Sequence, residues 1–556
     1  MDDTSQPALL TMSSPAVQVF PTLTDLQVQR FANIGHLRAV KRGDVLIEAG
    51  ERITRLFVVT AGQLEIVRPT VNGRDLVALI EAGQFTGEVS MLSGRRGLGQ
   101  ISAREDGEVI EVDRERLLSL IQTDSELSDI LMRAFVLRRL ELIAHGFGDV
   151  VLIGSNYCAE TLRIKEFLTR NGHPYSFIDL EHDETVQELL DRFHIGPDDV
   201  PVLICRGTLV LRNPSNAEIA DCLGFNEAID QVRVRDLVIV GAGPSGLAAA
   251  VYAASEGLDV LVVEASSPGG QAGSSSKIEN YLGFPTGISG QELAARAYTQ
   301  AQKFGAEVMI AKDATKLLCE RTPFAIEIQD GLRVPARTVI IATGAAYRKL
   351  ALENISQFEG TGVYYGATPV ESQLCHGEQV IVVGGGNSAG QAAVFLAQTA
   401  ERVYVLIRAS GLSASMSRYL IRRIESTPNI ELRTETELTA VEGNQHLERV
   451  RWRNGGTEER HNIRHIFVMT GAIPNTEWLK DCVALDEKGF IKTGSALATE
   501  ELTAARWPLA RSPYLLETSL PGVFAVGDVR KGNLKRVASA VGEGSIAVSM
   551  VHQVLH

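Results

Sequence analysis

Two stretches of the chain each run a short apolar strand into a cluster of glycines and on into a small-residue helix, and the second lies inside the region the first would otherwise claim. LVIV leads into Gly241-Ala242-Gly243-Pro244-Ser245-Gly246 and LAAAVYAASEG, while VIVVG, from Val380, opens Gly384-Gly385-Gly386-Asn387-Ser388-Ala389. A helix starting directly after such a turn offers free backbone N–H groups and a positive dipole end to a pyrophosphate. The next strand of the first unit, VLVVE, ends in Glu264, 23 residues past Gly241, placed to accept from an adenosine ribose hydroxyl. In the second unit VYVLIR ends in Arg408, 24 residues past Gly384, a cation where a 2′-phosphate needs one. Two nested Rossmann-like folds are expected, holding two dinucleotides, the second NADPH in preference to NADH. Arg408 also reads as a solvated surface charge.

The 556 residues exceed one compact core, and the texture changes along them. From Phe31 to Ile130, short β-rich runs such as DVLIEAG and RLFVVTAG alternate with glycine turns, which predicts a β-roll. Leu127 to Ala144 carries Leu127, Ile130, Leu131, Ala134 and Leu137 at helical spacing. From Asp149, VVLIG, a helix over Ala159 to Arg170, YSFIDL, a helix near Thr185 to Phe193 and VPVLIC form a β-α-β-α-β unit. The expected fold is multidomain α/β: a β-roll with helices over 20–145, a small α/β domain over 149–226, the first nucleotide fold over 235–350 and 476–556, and the second over 351–475.

With 54 basic and 68 acidic side chains the net charge is −14, which argues against nucleic acid or an anionic membrane as partner. Six scattered cysteines without a CxxC pair suggest a reducing compartment and no disulfide framework. No basic-then-apolar leader and no apolar run near the roughly 20 residues of a bilayer span occur, so a cytoplasmic protein is expected.

From Leu237 onward the chain resembles the pyridine nucleotide-disulfide oxidoreductases, most closely bacterial thioredoxin reductases. The resemblance rests on Gly269-Gly270-Gln271, IENY with Asn280, VIIATG ending Ala342-Thr343-Gly344, and GVFAVGD ending Gly527-Asp528. It implies bound FAD, with Asp528 near the ribityl and pyrophosphate and Gln271 and Asn280 near the flavin, hydride transfer from NADPH, a thioredoxin-like acceptor and a homodimer. Lys535-Arg536-Val537 stands where the family has Arg-Gln-Ala beside the flavin pyrimidine edge. The family's CATC dithiol is missing: VYYGATPVESQLCHG puts Gly366 and Pro369 at the two cysteine positions. Neither side chain can be oxidised or ionised. Cys375, six residues on, reads either as a relocated redox thiol or as a small buried hydrophobe.

The middle unit resembles glutaredoxin and thioredoxin-like domains in Asp199-Val200-Pro201, where the family keeps a cis proline, and in Cys158-Ala159-Glu160-Thr161 at the place of CPYC. Only the first cysteine is present. At a helix start Cys158 would be activated toward a mixed disulfide; the other reading is an inert cysteine in a docking domain. The β-roll resembles cyclic nucleotide-binding domains, most clearly in GQFTGEVSMLSG. That implies Gly87-Glu88 on a ribose hydroxyl and an arginine about nine residues later on the cyclic phosphate, but Gly97 and Leu98 fall there, with Arg95 and Arg96 just before. A cyclic nucleotide or a different effector is the expected partner, beside a purely structural role. Three functions follow: an NADPH- and FAD-dependent reductase of a thiol or disulfide acceptor, a redox sensor reporting NADPH state to the β-roll, and a flavin reductase for ferredoxin or a quinone.

Overall fold

The computed structural model describes residues 16–556 apart from 71–72, 146–147, 149, 157, 181–198, 207–208 and 480. The helix expected near Thr185 to Phe193 lies outside the described residues. The chain forms two compact units: one runs to Ser155 and takes in Asn171–Ile229 and Thr299–Ala311, the other comprises Asn156–Arg170, Asp230–Tyr298 and Lys312–His556.

In the first unit the alternating N-terminal runs fold into two antiparallel sheets. One has the order His36–Val40, Gly107–Asp113, Arg55–Ala61, and the other Val45–Ile47, Gln100–Ala103, Leu64–Thr70, Gly73–Ile80. Leu56, Phe57, Val59, Ile80, Phe85 and Val109 fill the space between them, the large apolar transfer that holds a β-roll together. The helix Ser125–Ala144 closes this core, but its buried face is Leu127, Ser128, Leu131, Ala134, Phe135, Arg138 and Glu141. Ile130 and Leu137, expected on that side, are half-buried, because Arg138 takes the inward position by donating to Val19 O (2.9 Å) and Gly87 O (2.7 Å). The same unit holds a four-stranded sheet, Leu209–Arg212, Val202–Cys205, Val150–Gly154, Ser176–Asp179, whose first strand the sequence reading did not include. Its Val200–Pro201 bond is cis.

The second unit contains both glycine loops. Around Arg235–Val240, parallel neighbours Val260–Glu264 and Arg333–Ile341 build the first sheet, and Val523–Ala525 returns from far along the chain to pair in parallel with Arg333–Ile341. Phe324–Ile328 and Ala314–Leu318 extend it antiparallel. The second sheet is all parallel, in the order Val363–Tyr364, His465–Val468, Gln379–Val383, Arg402–Leu406, Ile430–Arg433. Its three inner strands are near-continuous apolar runs, as expected where a parallel strand is buried on both faces, while the edge strand Ile430–Arg433 is half-exposed and mixed in character. Two short antiparallel strands, Ala345–Tyr347 and Ala472–Pro474, carry the chain out of the first fold and back, which is the nesting expected from the order of the glycine loops.

The expectation of no disulfides is corrected by one bond, Cys319–Cys482, spanning 163 residues. Only folding brings these cysteines together, the first at the end of Ala314–Leu318 and the second just after the turn Glu477–Leu479.

Candidate functional site: a cavity shared by two glycine loops

The first strand–turn–helix junction is built for an anion. Gly243 is the N-cap of Pro244–Ser255, and no side chain caps that helix, so its leading N–H groups stay available. Gly241 has a φ of +104°, and a Cβ there would collide with Ala342 O; only glycine fits. Glu264 orders the loop from beneath: its carboxylate accepts from Ala242 N (2.7 Å), Ser266 N (2.9 Å) and Ser267 N (3.2 Å). Burial raises the Glu264 pKa, and those three amides work against the rise.

Above this junction opens a cavity of about 1200 Å³. It is lined by Gly241, Gly243, Pro244, Ser245 and Glu264 from the first loop and its strand, and by Gly270, Gln271 and Asn280 from the segments that follow. Ala342, Thr343 and Gly344 form another wall, clasped by reciprocal bonds of 2.8 Å between Thr343 Oγ1 and Asn475 O and between Asn475 Nδ2 and Thr343 O. Asp528, Lys535, Arg536 and Val537 close the far end. Arg536 is the N-cap of Val537–Leu555, again without a side-chain cap. Burial raises the Asp528 carboxyl above its usual range, Lys535 draws it back, and Glu543 adds to the rise. Gly246 and Gly527 support the wall instead of lining it: a Cβ on Gly246 would strike Gly241 O, and one on Gly527 would lie 2.6 Å from Ser245 Oγ.

Asn387 and Ser388 of the second loop line the same cavity. Gly386 caps their helix, Asn387–Leu396, without any side-chain bond, and Asn387 Oδ1 accepts from Ser417 N at 2.7 Å. A Cβ on Gly384 would sit 2.5 Å from Met469 O and Ala389 is fully buried, whereas a Cβ on Gly386 would meet nothing within 4 Å. Arg408 needs correction in place, since the strand stops at Leu406 and Arg408 is exposed in the following turn. Arg423, a nearby cation, is held by Glu279 at 2.6 Å. If Arg408 meets a 2′-phosphate, Arg408→Glu should raise KM for NADPH about 10- to 100-fold while sparing NADH, since a charge-assisted bond contributes about 1.5–3 kcal/mol. Steady-state kinetics with both nucleotides check this, and an equal effect on both denies the contact.

Of the two candidate thiols, Cys375 is corrected to a core residue. It is fully buried among Tyr364, Val380, Ala389 and Leu396, burial pushes its thiol up to about 12, and it is absent from the cavity wall. Cys158 does not itself line the cavity either, but it is half-buried and directly precedes the helix Ala159–Arg170. That helix gives the cavity a wall the sequence reading missed, with Ala159, Leu162, Arg163, Glu166 and Arg170. Leu162 packs into the core of the second fold, while Arg170 Nη2 donates to Gly270 O (2.8 Å) and Gln291 Nε2 to Thr169 O (2.7 Å) in the first. Gly366, at the vacant dithiol position, lines the cavity too. Tyr347 was also missed; it bonds Ser388 near Asp528, and burial raises its phenol. Its only sequence cue is its place three residues after VIIATG.

Uncapped helix starts, a Cβ-free cradle and a long shared cavity suit two dinucleotides. The pyridine nucleotide-disulphide oxidoreductase family matches residues 235–544, and the chain belongs to that family, whose thioredoxin reductase-like members use FAD and NADPH. It is an NAD(P)H- and FAD-dependent oxidoreductase of the thioredoxin reductase-like type. Thioredoxin reductase of Mycoplasmopsis pulmonis (strain UAB CTIP) is 31% identical over 320 residues, 57% of this chain and 97% of its own. One of the alkyl hydroperoxide reductase subunits, that of Pseudomonas putida, is 32% identical over 326 residues, 58% of each chain. The solved T. acidophilum thioredoxin reductase, 30% identical, covers 58% of this chain and 100% of its own with a TM-score of 0.52. The cyclic nucleotide-binding domain family matches residues 37–124. Among the described residues no helix is long and apolar enough to cross a membrane.

Proposed function

We propose that the chain reduces a thiol or disulfide acceptor of the thioredoxin class with electrons from NADPH, and that Cys158 stands in for the missing dithiol. One observation carries this: the helix that Cys158 introduces, Ala159–Arg170, forms a wall of the same cavity as Gln271, Asp528 and the vacant position Gly366. When bound, FAD supplies the two-electron relay between nicotinamide and sulfur. The residues then divide the work. The loops at Gly241 and Gly384 hold the two pyrophosphates, Glu264 fixes the first loop, and Tyr347 links the second loop's Ser388 to the wall beside Asp528. Cys158 Sγ attacks the acceptor disulfide, forming the mixed disulfide as one acceptor sulfur leaves with the proton given up by Cys158. Two electrons and two protons release the second sulfur as thiol and restore Cys158.

Cys158→Ser should leave bleaching of the flavin by NADPH unchanged and lower turnover with an oxidised thioredoxin-type substrate at least about 100-fold, because the hydroxyl cannot form the mixed disulfide. Stopped-flow absorbance and coupled turnover separate the two steps. Full turnover in this variant refutes the role of Cys158 and moves the acceptor to the cavity itself.

A further inference from the structure

The arginines around the β-roll loop that follows Ser90–Ser93 are turned onto one short piece of the same unit, Gly224–Glu227. Arg52 donates Nη2 to Asn226 O at 2.7 Å and Nη1 to Gly94 O at 3.1 Å. Arg114 reaches Glu227 Oε1 at 3.3 Å, with Arg52 Nη1 4.0 Å from the same oxygen. The Arg95 guanidinium lies over the Phe225 ring, 4.3 Å from its centroid. Arg96 packs so close to Gly224 that a Cβ there would come within 2.7 Å of it. On its far side the segment is anchored by Asn226, which donates to Ile310 O (2.9 Å) and accepts from Ile310 N (2.8 Å).

This is the loop where a cyclic nucleotide-binding fold would take its phosphate. Here Arg95 faces an internal aromatic ring, Arg114 divides its donors between Glu227 Oε1 and the Met91 and Leu92 carbonyls, and Arg96 donates to Gly50 O at 2.9 Å. Glu88, at the position expected to meet a ribose hydroxyl, has neither carboxylate oxygen hydrogen-bonded, and its nearest cation is Arg139 Nη1 at 3.6 Å. The acceptor end of such a site therefore persists while its anion end is filled from within.

We propose that Phe225–Glu227 is a built-in occupant of the β-roll's basic loop, with Glu227 in the place of a ligand's anion, so that a small phosphate-bearing ligand enters only by displacing it. Glu227 is half-exposed, and ion pairs of that kind contribute about 0–1 kcal/mol. The charge contact of the occupant is thus weak enough to be displaced.

The test titrates cyclic AMP into the full-length, FAD-loaded protein by calorimetry, using wild type, Glu227→Gln and Phe225→Ala/Glu227→Gln. Removing the charge should tighten binding about threefold to fivefold, the equivalent of at most 1 kcal/mol. Removing the ring as well should tighten it at least tenfold, with flavin absorbance and circular dichroism unchanged. Equal affinity in all three forms overturns the proposal, as does the absence of saturable binding to any of them at millimolar ligand. Neither result bears on NADPH oxidation, so the enzymatic reading stands or falls separately.

Discussion

Gly243→Ala should yield a folded protein that carries no flavin colour. Gly243 has φ −69° and ψ −177°, a conformation open to alanine, and a Cβ there would find only Gly270 Cα, at 4.0 Å. The empty fold therefore tolerates the methyl, losing at most about 1 kcal/mol of N-cap preference. The same methyl projects into the cradle in front of the Pro244–Ser255 helix, where the pyrophosphate must approach the backbone. Two charge-assisted hydrogen bonds pushed out of reach, at about 1.5–3 kcal/mol each, weaken FAD binding about 10²- to 10⁴-fold. Gly241→Ala gives the contrast, because its φ of +104° and the collision with Ala342 O disturb the loop even without cofactor. Thermal unfolding of the FAD-free forms should therefore match wild type for Gly243→Ala and fall for Gly241→Ala. Retention of FAD by Gly243→Ala at wild-type affinity would show that the pyrophosphate lies elsewhere.

The parts of this site that could be read in the sequence are those whose geometry is local. Gly241, Gly243 and Glu264 sit at fixed offsets along one strand–turn–helix–strand run, so their spacing alone places the acid beneath the loop. The opposite wall is a different case. Arg163, Glu166 and Arg170 are spaced as the solvated face of an amphipathic helix, with Leu162 and Phe167 on the buried side. Nothing along the chain says that this polar face looks onto the cavity, because long-range packing of Leu162 and the bond from Arg170 to Gly270 O decide it. Cys375 shows the converse. Its position near the missing dithiol invited a redox role, but the run of buried residues around it belongs to the core of the second fold. Arg138 was unreadable for a related reason: the carbonyls that accept its hydrogen bonds in the β-roll's interior, Val19 O and Gly87 O, lie far apart in sequence.

Opening the Cys319–Cys482 bond should lower the stability of the first nucleotide fold by about 2–5 kcal/mol and its thermal midpoint by about 5–15 °C. The bond spans 163 residues, and in the chain-entropy account the gain grows with loop length, approaching the top of that range for a loop this long. Its position adds to the effect. The stretch between the two cysteines contains the entire second sheet, from Val363 to Val468, so the bond ties the segments on either side of that inserted fold directly to each other. Release of flavin on heating reports on this fold by itself, which matters because a chain of several folds does not unfold in one step. The doubly substituted Cys319→Ser/Cys482→Ser protein and wild type treated with a dithiol reductant should release flavin at the same lowered temperature. Neither sulfur lines the cavity, so hydride transfer below that temperature should be unaffected. Reductant without effect on wild type, together with all six cysteines reactive as thiols in unreduced denatured protein, would refute the bond. A bond that opens in a reducing compartment makes the stability of the flavin fold depend on the thiol poise around it.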